Sequence, residues 1–322
     1  MSYDDPDNPT PAFATAAHRP RRRVGLVVGA MLVPVGLAGW LLWSSGSGSG
    51  SDSGSGGPVA AKPGEPEPER SASEEPSPSK ERPANPSPTK AAGEGGARGE
   101  LAGKTIVIDP GHNPNNRNRT ADIARLVDIG TNKKECDTTG TATNDGYSEA
   151  EFTLDLARKV RTLLEKKGAE VTLTQDGDRP YGPCVDERAR IGNEADADAV
   201  ISLHADGSGE GNRGFHVIMP GKVDAGAANT GKIVGPSRDL GERIAGSFVR
   251  ATGTPPSNYI GGGTGLDTRT DLGGLNLSKV PKVFLECGNM RDPQDEALLT
   301  SKEWRGKAAK GIAAGLVDFL RK

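Results

Sequence analysis

Three apolar runs in the second two-thirds of the chain share one design: a short hydrophobic stretch that stops at a chemically useful side chain. Thr105-Ile106-Val107-Ile108 leads through Asp109-Pro110-Gly111 to His112. Ala199-Val200-Ile201-Ser202-Leu203 leads to His204, and Val280-Pro281-Lys282-Val283-Phe284-Leu285 leads to Glu286. Short β-branched runs bounded by turn formers predict buried strands. A different period begins at Ser148. Ser148 and Glu151 match a capping box, which sets Ser148 at the N-cap and Glu149 at the first helical position. Phe152, Leu156, Val160 and Leu163 follow at helical spacing, so that face should pack on a sheet.

Read in order, the pattern predicts a strand (Lys104–Ile108), a long loop, a helix (Glu149–Lys167), a strand (Glu170–Thr174) and a helix (Val185–Glu194). Strands over Ala199–Leu203 and Gly214–Met219, a helix over Pro236–Ala251, a strand over Val280–Leu285 and a helix over Glu303–Leu320 complete it. Such alternation predicts a single α/β domain over residues 101–322, with helices on both faces of the sheet. The connection from Asn113 to Tyr147 is long for a compact domain, and such loops are functional or disordered.

The first hundred residues follow other patterns. Val24 to Trp43 is free of charge and, as a helix, spans about 30 Å, the thickness of a hydrocarbon core. Pro34 is tolerable in a membrane helix, and Trp40 and Trp43 suit an interface. Arg19, Arg21, Arg22 and Arg23 precede the run and no basic residue follows before Lys62. The expectation is a cytoplasmic basic tail (1–23), a single-pass transmembrane anchor (24–43) and everything beyond it on the outer side of the cell membrane. A cleavable signal peptide is the competing reading, against which stand the length of the run and the want of a clear cleavage site. Residues 44–100, Gly/Ser-rich and then Pro/Glu-rich, lack apolar periodicity and predict a disordered linker, or no more than a spacer. Its r.m.s. span as a coil is on the order of 40 Å.

Charge changes the picture only by exclusion. The 43 acidic and 40 basic residues nearly balance, which gives no case for a nucleic-acid partner. Three cysteines, Cys136, Cys184 and Cys287, leave three pairings open. Cys136 and Cys184 lie in Gly/Pro/Thr-rich loops, whereas Cys287 follows a strand-ending Glu286 and should face the core. A Cys136–Cys184 disulfide is therefore expected in an exported domain, with three reduced, buried cysteines as the alternative.

Candidate chemistry gathers at the ends of the predicted strands, where open α/β sheets place their functional groups. Two imidazoles and a carboxylate, His112, His204 and Glu149, suffice as the protein ligands of a catalytic zinc, with the fourth position left to water. Alone, each has a plainer reading: a strand-end histidine is often structural, and a first-turn glutamate favours the helix dipole. Pro110 and Gly111 add weight to His112, because they make a sharp turn that directs the imidazole. Glu286 ends an apolar strand and needs a reason to be there. His216 alternates with apolar neighbours in a strand and is the alternative ligand. His18 belongs to the N-terminal tail.

The set Asp109-Pro110-Gly111-His112, the helix-opening Glu149, Ser202-Leu203-His204-Ala205-Asp206 and Leu285-Glu286-Cys287-Gly288-Asn289 closely resembles the zinc-dependent N-acetylmuramoyl-L-alanine amidases of the amidase-3 type. The likeness to actinobacterial members runs through Thr139–Tyr147 and Gly182–Arg188 and extends from about Lys104 to the C-terminus. Ala150 departs from a lysine that many relatives carry, a position without a ligand role. The resemblance implies a mixed, mostly parallel sheet, zinc held by His112, Glu149 and His204, and Glu286 as the catalytic glutamate. It also implies peptidoglycan as substrate, cut at the amide between the lactyl group of N-acetylmuramic acid and L-alanine, with no other cofactor needed; a monomer is expected. A zinc peptidase acting within the stem peptide and a non-catalytic peptidoglycan-binding domain are the other classes; the intact residue set argues against the second.

Overall fold

The apolar runs become the middle of one sheet. A computed structural model describes residues 99–321. The expected tail, anchor and nearly all of the linker lie outside the described residues, among which no helix is long and apolar enough to cross a membrane. The elements in order are β1 (Thr105–Pro110), α1 (Thr120–Ile123), β2 (Leu126–Asp128), β3 (Lys133–Glu135), α2 (Glu149–Glu165), β4 (Glu170–Leu173) and α3 (Val185–Glu194). They continue with β5 (Ala199–Asp206), β6 (His216–Pro220), β7 (Asp224–Ala225), β8 (Ala228–Asn229), α4 (Val234–Thr252) and β9 (Leu266–Arg269). The last are α5 (Gly273–Asn276), β10 (Lys282–Asn289), α6 (Pro293–Leu299) and α7 (Lys302–Leu320).

The sheet order is β4-β1-β5-β10-β6-β9. All neighbours are parallel except β10 and β6, which run antiparallel, so the sheet is mixed and mostly parallel, as expected. Residues of alternate parity pack on opposite faces. Ile106, Ile108, Ile201, Leu203, Val283 and Leu285 join α2, α4 and α7 in the main core. Val107 and Val200 pack on the other face with Val280, Ile191 and Ala197. Gly315 of α7 lies against the Ile244 backbone of α4, where a Cβ would collide.

Helix α2 carries the predicted capping box, Ser148 to Glu151, in full. Its buried stripe is Phe152, Leu156, Val160 and Leu164; Leu163 is only partly buried, at the edge of the main core. The long connection after β1 is not featureless. It folds as a short helix and the β2–β3 hairpin, pinned by the expected Cys136–Cys184 disulfide. Cys287 is free, fully buried and part of the main core.

The disulfide joins the end of that hairpin to the start of α3, where the Val185 N–H donates to the Cys136 carbonyl at 2.8 Å. A bridge spanning 48 residues contributes about 4 kcal/mol in the chain-entropy model. The double variant Cys136→Ser/Cys184→Ser is expected to melt roughly 8–16 °C lower for a domain of this size. Calorimetry of the purified domain checks this; an unchanged melting temperature would contradict it.

Candidate metal centre

Three adjacent parallel strands, β1, β5 and β10, end at the same edge, and that is why their terminal side chains meet. Pro110 pairs with Leu203 across β1 and β5, and His204 pairs with Glu286 across β5 and β10. Two residues beyond Pro110, the chain turns with His112 in the left-handed region (φ 63). Gly111 is required there, since a Cβ would run into the His204 ring. Helix α2 is fastened above the turn by Thr153, whose hydroxyl donates to the Gly111 carbonyl at 2.8 Å. Its first residue, Glu149, therefore hangs over the strand ends.

The ligand-type atoms of His112, Glu149 and His204 all lie within 4.8 Å of one another, and they form the one such three-donor set among the described residues. His112 Nε2 is 3.1 Å from Glu149 Oε2, and His204 Nδ1 is 2.9 Å from Glu149 Oε1. A tetrahedral ion with bonds of about 2.0–2.2 Å wants donors roughly 3.3–3.6 Å apart, and both histidine–glutamate separations fall only a little short of that. The other side of each ring is occupied. His112 Nδ1 faces the Thr138 carbonyl at 3.1 Å and Asp137 Oδ1 at 3.4 Å, and the His204 ring stacks on Phe284. Outer partners of this kind fix ring orientation and tautomer. Burial lowers the His112 pKa, but Glu149 and Asp137 outweigh it and raise it to about 10. A field that favours positive charge so strongly at this point suits a dication.

Glu286 lines the same cleft without belonging to the three-donor set. Its Oε2 is screened from solvent and has no hydrogen-bond partner. Burial, then repulsion from Glu149 and Asp206, pushes the Glu286 carboxyl well above its usual range. His216 sits opposite Glu286 on β6, buried, outside the three-donor set, with its ring edge against Tyr259.

Beneath these residues lies a buried ionic cluster that pattern reading did not find. Arg188 of α3 donates to Asp109 Oδ1 and the Pro110 carbonyl at 2.7 Å, to Asp137 Oδ2 at 2.8 Å and to the His112 carbonyl at 3.0 Å. One guanidinium thus holds the whole turn that aims His112. Asp109 also accepts from Ser202 at 2.5 Å and Thr174 at 2.6 Å, with Lys282 Nζ at 3.4 Å. Burial would raise the Asp109 pKa, yet Arg188 and Lys282 hold it below the usual carboxylate range. Two signals in the sequence pointed here: an arginine at the end of Gly182–Arg188, and a lysine inside the strand Val-Pro-Lys-Val-Phe. Arg269, on an edge strand missed altogether, also lines the cleft.

With this geometry in hand, residues 106–318 match a family model described as N-acetylmuramoyl-L-alanine amidase. The chain belongs to the amidase-3 family. It is 41% identical over 221 residues to the N-acetylmuramoyl-L-alanine amidase Rv3717 of Mycobacterium tuberculosis, covering 68% of this chain and 88% of that protein. The crystal structure of an N-acetylmuramyl-L-alanine amidase from Mycobacterium smegmatis superposes with a TM-score of 0.62 at 41% identity, over 68% of this chain and 98% of that one. The apo form of an N-acetylmuramyl-L-alanine amidase from Mycobacterium abscessus does so with a TM-score of 0.62 at 40% identity, over 68% and 100%. This amidase-3 chain therefore shares sequence and fold with its relatives from β1 to near the end of α7.

Proposed function

We propose that residues 101–322 form a zinc-dependent N-acetylmuramoyl-L-alanine amidase that separates the stem peptide of peptidoglycan from its glycan. The observation that carries this reading is the unpaired, desolvated Glu286 carboxyl in one cleft with the His112–Glu149–His204 set. His112, Glu149 and His204 are the residues that would hold zinc. When bound, zinc acidifies water and draws electron density from the lactyl carbonyl. Glu286, with its raised proton affinity, accepts the proton of the attacking water and delivers it to the departing L-alanine amine. Asp137, the Thr138 carbonyl and Phe284 keep the two imidazoles from rotating while charge develops.

The N-terminal run supports placing this domain outside the cell. Residues 24–43 would anchor it as a single span with residues 1–23 in the cytoplasm, and residues 44–100 would tether a monomeric domain that works on the wall side. Mass spectrometry of fragments released from purified peptidoglycan tests the activity. Intact stems with a free L-alanine amine are expected. Stems cut internally would instead indicate a zinc peptidase, and no release would indicate a binding domain.

A further inference from the structure

The cleft has two lobes that share His112, His204, Leu272 and Phe284. One, of about 270 Å³, is bounded by Val185, Gly273 and Gly274. The other, of about 220 Å³, carries Asp206, Arg269 and Glu286. Proton delivery decides which half of the substrate enters which lobe. The leaving nitrogen must lie within hydrogen-bond reach of the group that protonates it, and Glu286 lines only the second lobe. The acyl half therefore lies toward the first lobe, and the peptide that begins with L-alanine lies in the second.

That second lobe is acidic except at one place. Apart from the two histidines of the metal set, its ionisable lining is Glu149, Asp206 and Glu286 against the guanidinium of Arg269, the one lysine or arginine among the described residues that line it. Arg269 ends β9 on the Glu286 face of the sheet: Phe284 pairs with Ile218, and Ile218 pairs with Asp267, two residues earlier. Its Nε and Nη2 donate to Asp271 at 2.8 and 2.7 Å. The same Asp271 carboxylate is shared with Lys134 at 3.1 Å, so two cations surround one anion and a positive charge is left over. Arg269 Nη1 has no partner among the described residues, and the side chain is 42% exposed. A compact volume of this size is on the order of 7–8 Å across, about two residues of extended chain.

We infer that Arg269 binds a carboxylate on the residue that follows L-alanine, and so selects stems that are acidic at that position over stems that are amidated there. The inference rests on the amidase reading and on the orientation that Glu286 imposes. The test compares kcat/KM for two synthetic muramyl-L-alanyl peptides, one with a free carboxylate on the second residue and one with the carboxamide. The wild-type protein should favour the carboxylate by about 10-fold, mainly through KM, as a charge-assisted hydrogen bond would. Arg269→Gln should bring the ratio to about 1 with zinc content and melting temperature unchanged, and Arg269→Lys should keep part of it. Discrimination that survives in Arg269→Gln overturns the inference, as does a wild-type protein that treats the two peptides alike or prefers the carboxamide. If the wild-type protein releases no L-alanyl peptide from either, the amidase reading itself fails and the assignment of lobes goes with it.

Discussion

Glu286→Ala is expected to lower kcat by about 10²–10⁴-fold while the protein keeps one zinc per chain and its melting temperature. The magnitude is that of a lost general acid–base step. Retention of zinc follows from the geometry, since Glu286 stands apart from the three-donor set and its Oε2 touches no protein donor. Removing it also relieves repulsion from Glu149 and Asp206, so the fold should not suffer. Turnover and metal content are measured on the same preparation. Near wild-type hydrolysis with full zinc would remove Glu286 from the mechanism.

Changing any of His112, Glu149 or His204 to alanine should have the opposite signature, loss of metal first and of activity as its consequence. Outer partners of metal ligands alone are worth about 10–100-fold in affinity, and a missing donor should cost more than that. Glu149→Ala has a further effect, because its two oxygens also accept from the Thr141 and Ala205 N–H groups and tie the loop before α2 to the end of β5. His216→Ala is the control: it is buried beside Glu286 but outside the set, and it should bind zinc stoichiometrically. Zinc content after dialysis, with a chelator titration, decides. Metal lost from the His216 variant and kept in one of the other three would overturn the assignment.

The positions of these side chains were legible because they depend on short-range rules. Apolar runs that end in a turn put His112, His204 and Glu286 at strand ends, and a capping box put Glu149 at the mouth of α2. Loop settings likewise separated Cys136 and Cys184 from Cys287. Other features depend on partners far away in the chain. Strand β9, Leu-Asp-Thr-Arg, is a half-exposed edge with weak alternation, and only β6 makes it a strand. Hairpin β2–β3 has three-residue strands of mostly polar composition and leans on the disulfide. Strand β10 runs on to Asn289 past an irregular step after Glu286, because β5 and the Asp295 carboxylate of α6 take up its hydrogen bonds. Lys282 is fully buried in what reads as an apolar run, because its partner Asp109 lies 173 residues away in sequence and only the fold brings the two together.

The buried charge cluster also solves a problem of address. The runs Ile-Val-Ile, Val-Ile-Ser-Leu and Val-Phe-Leu are nearly interchangeable as hydrophobic surfaces, and apolar side chains alone would let neighbouring strands slide by two residues with little penalty. Asp109 on β1, Ser202 on β5 and Lys282 on β10 act as labels that match in one alignment only, with Arg188 reading the label from outside the sheet. Any slip would strand an ion in an oily interior, a far larger penalty than a misplaced methyl group. The alignment those labels select is the one in which His112, His204 and Glu286 come level at the sheet edge.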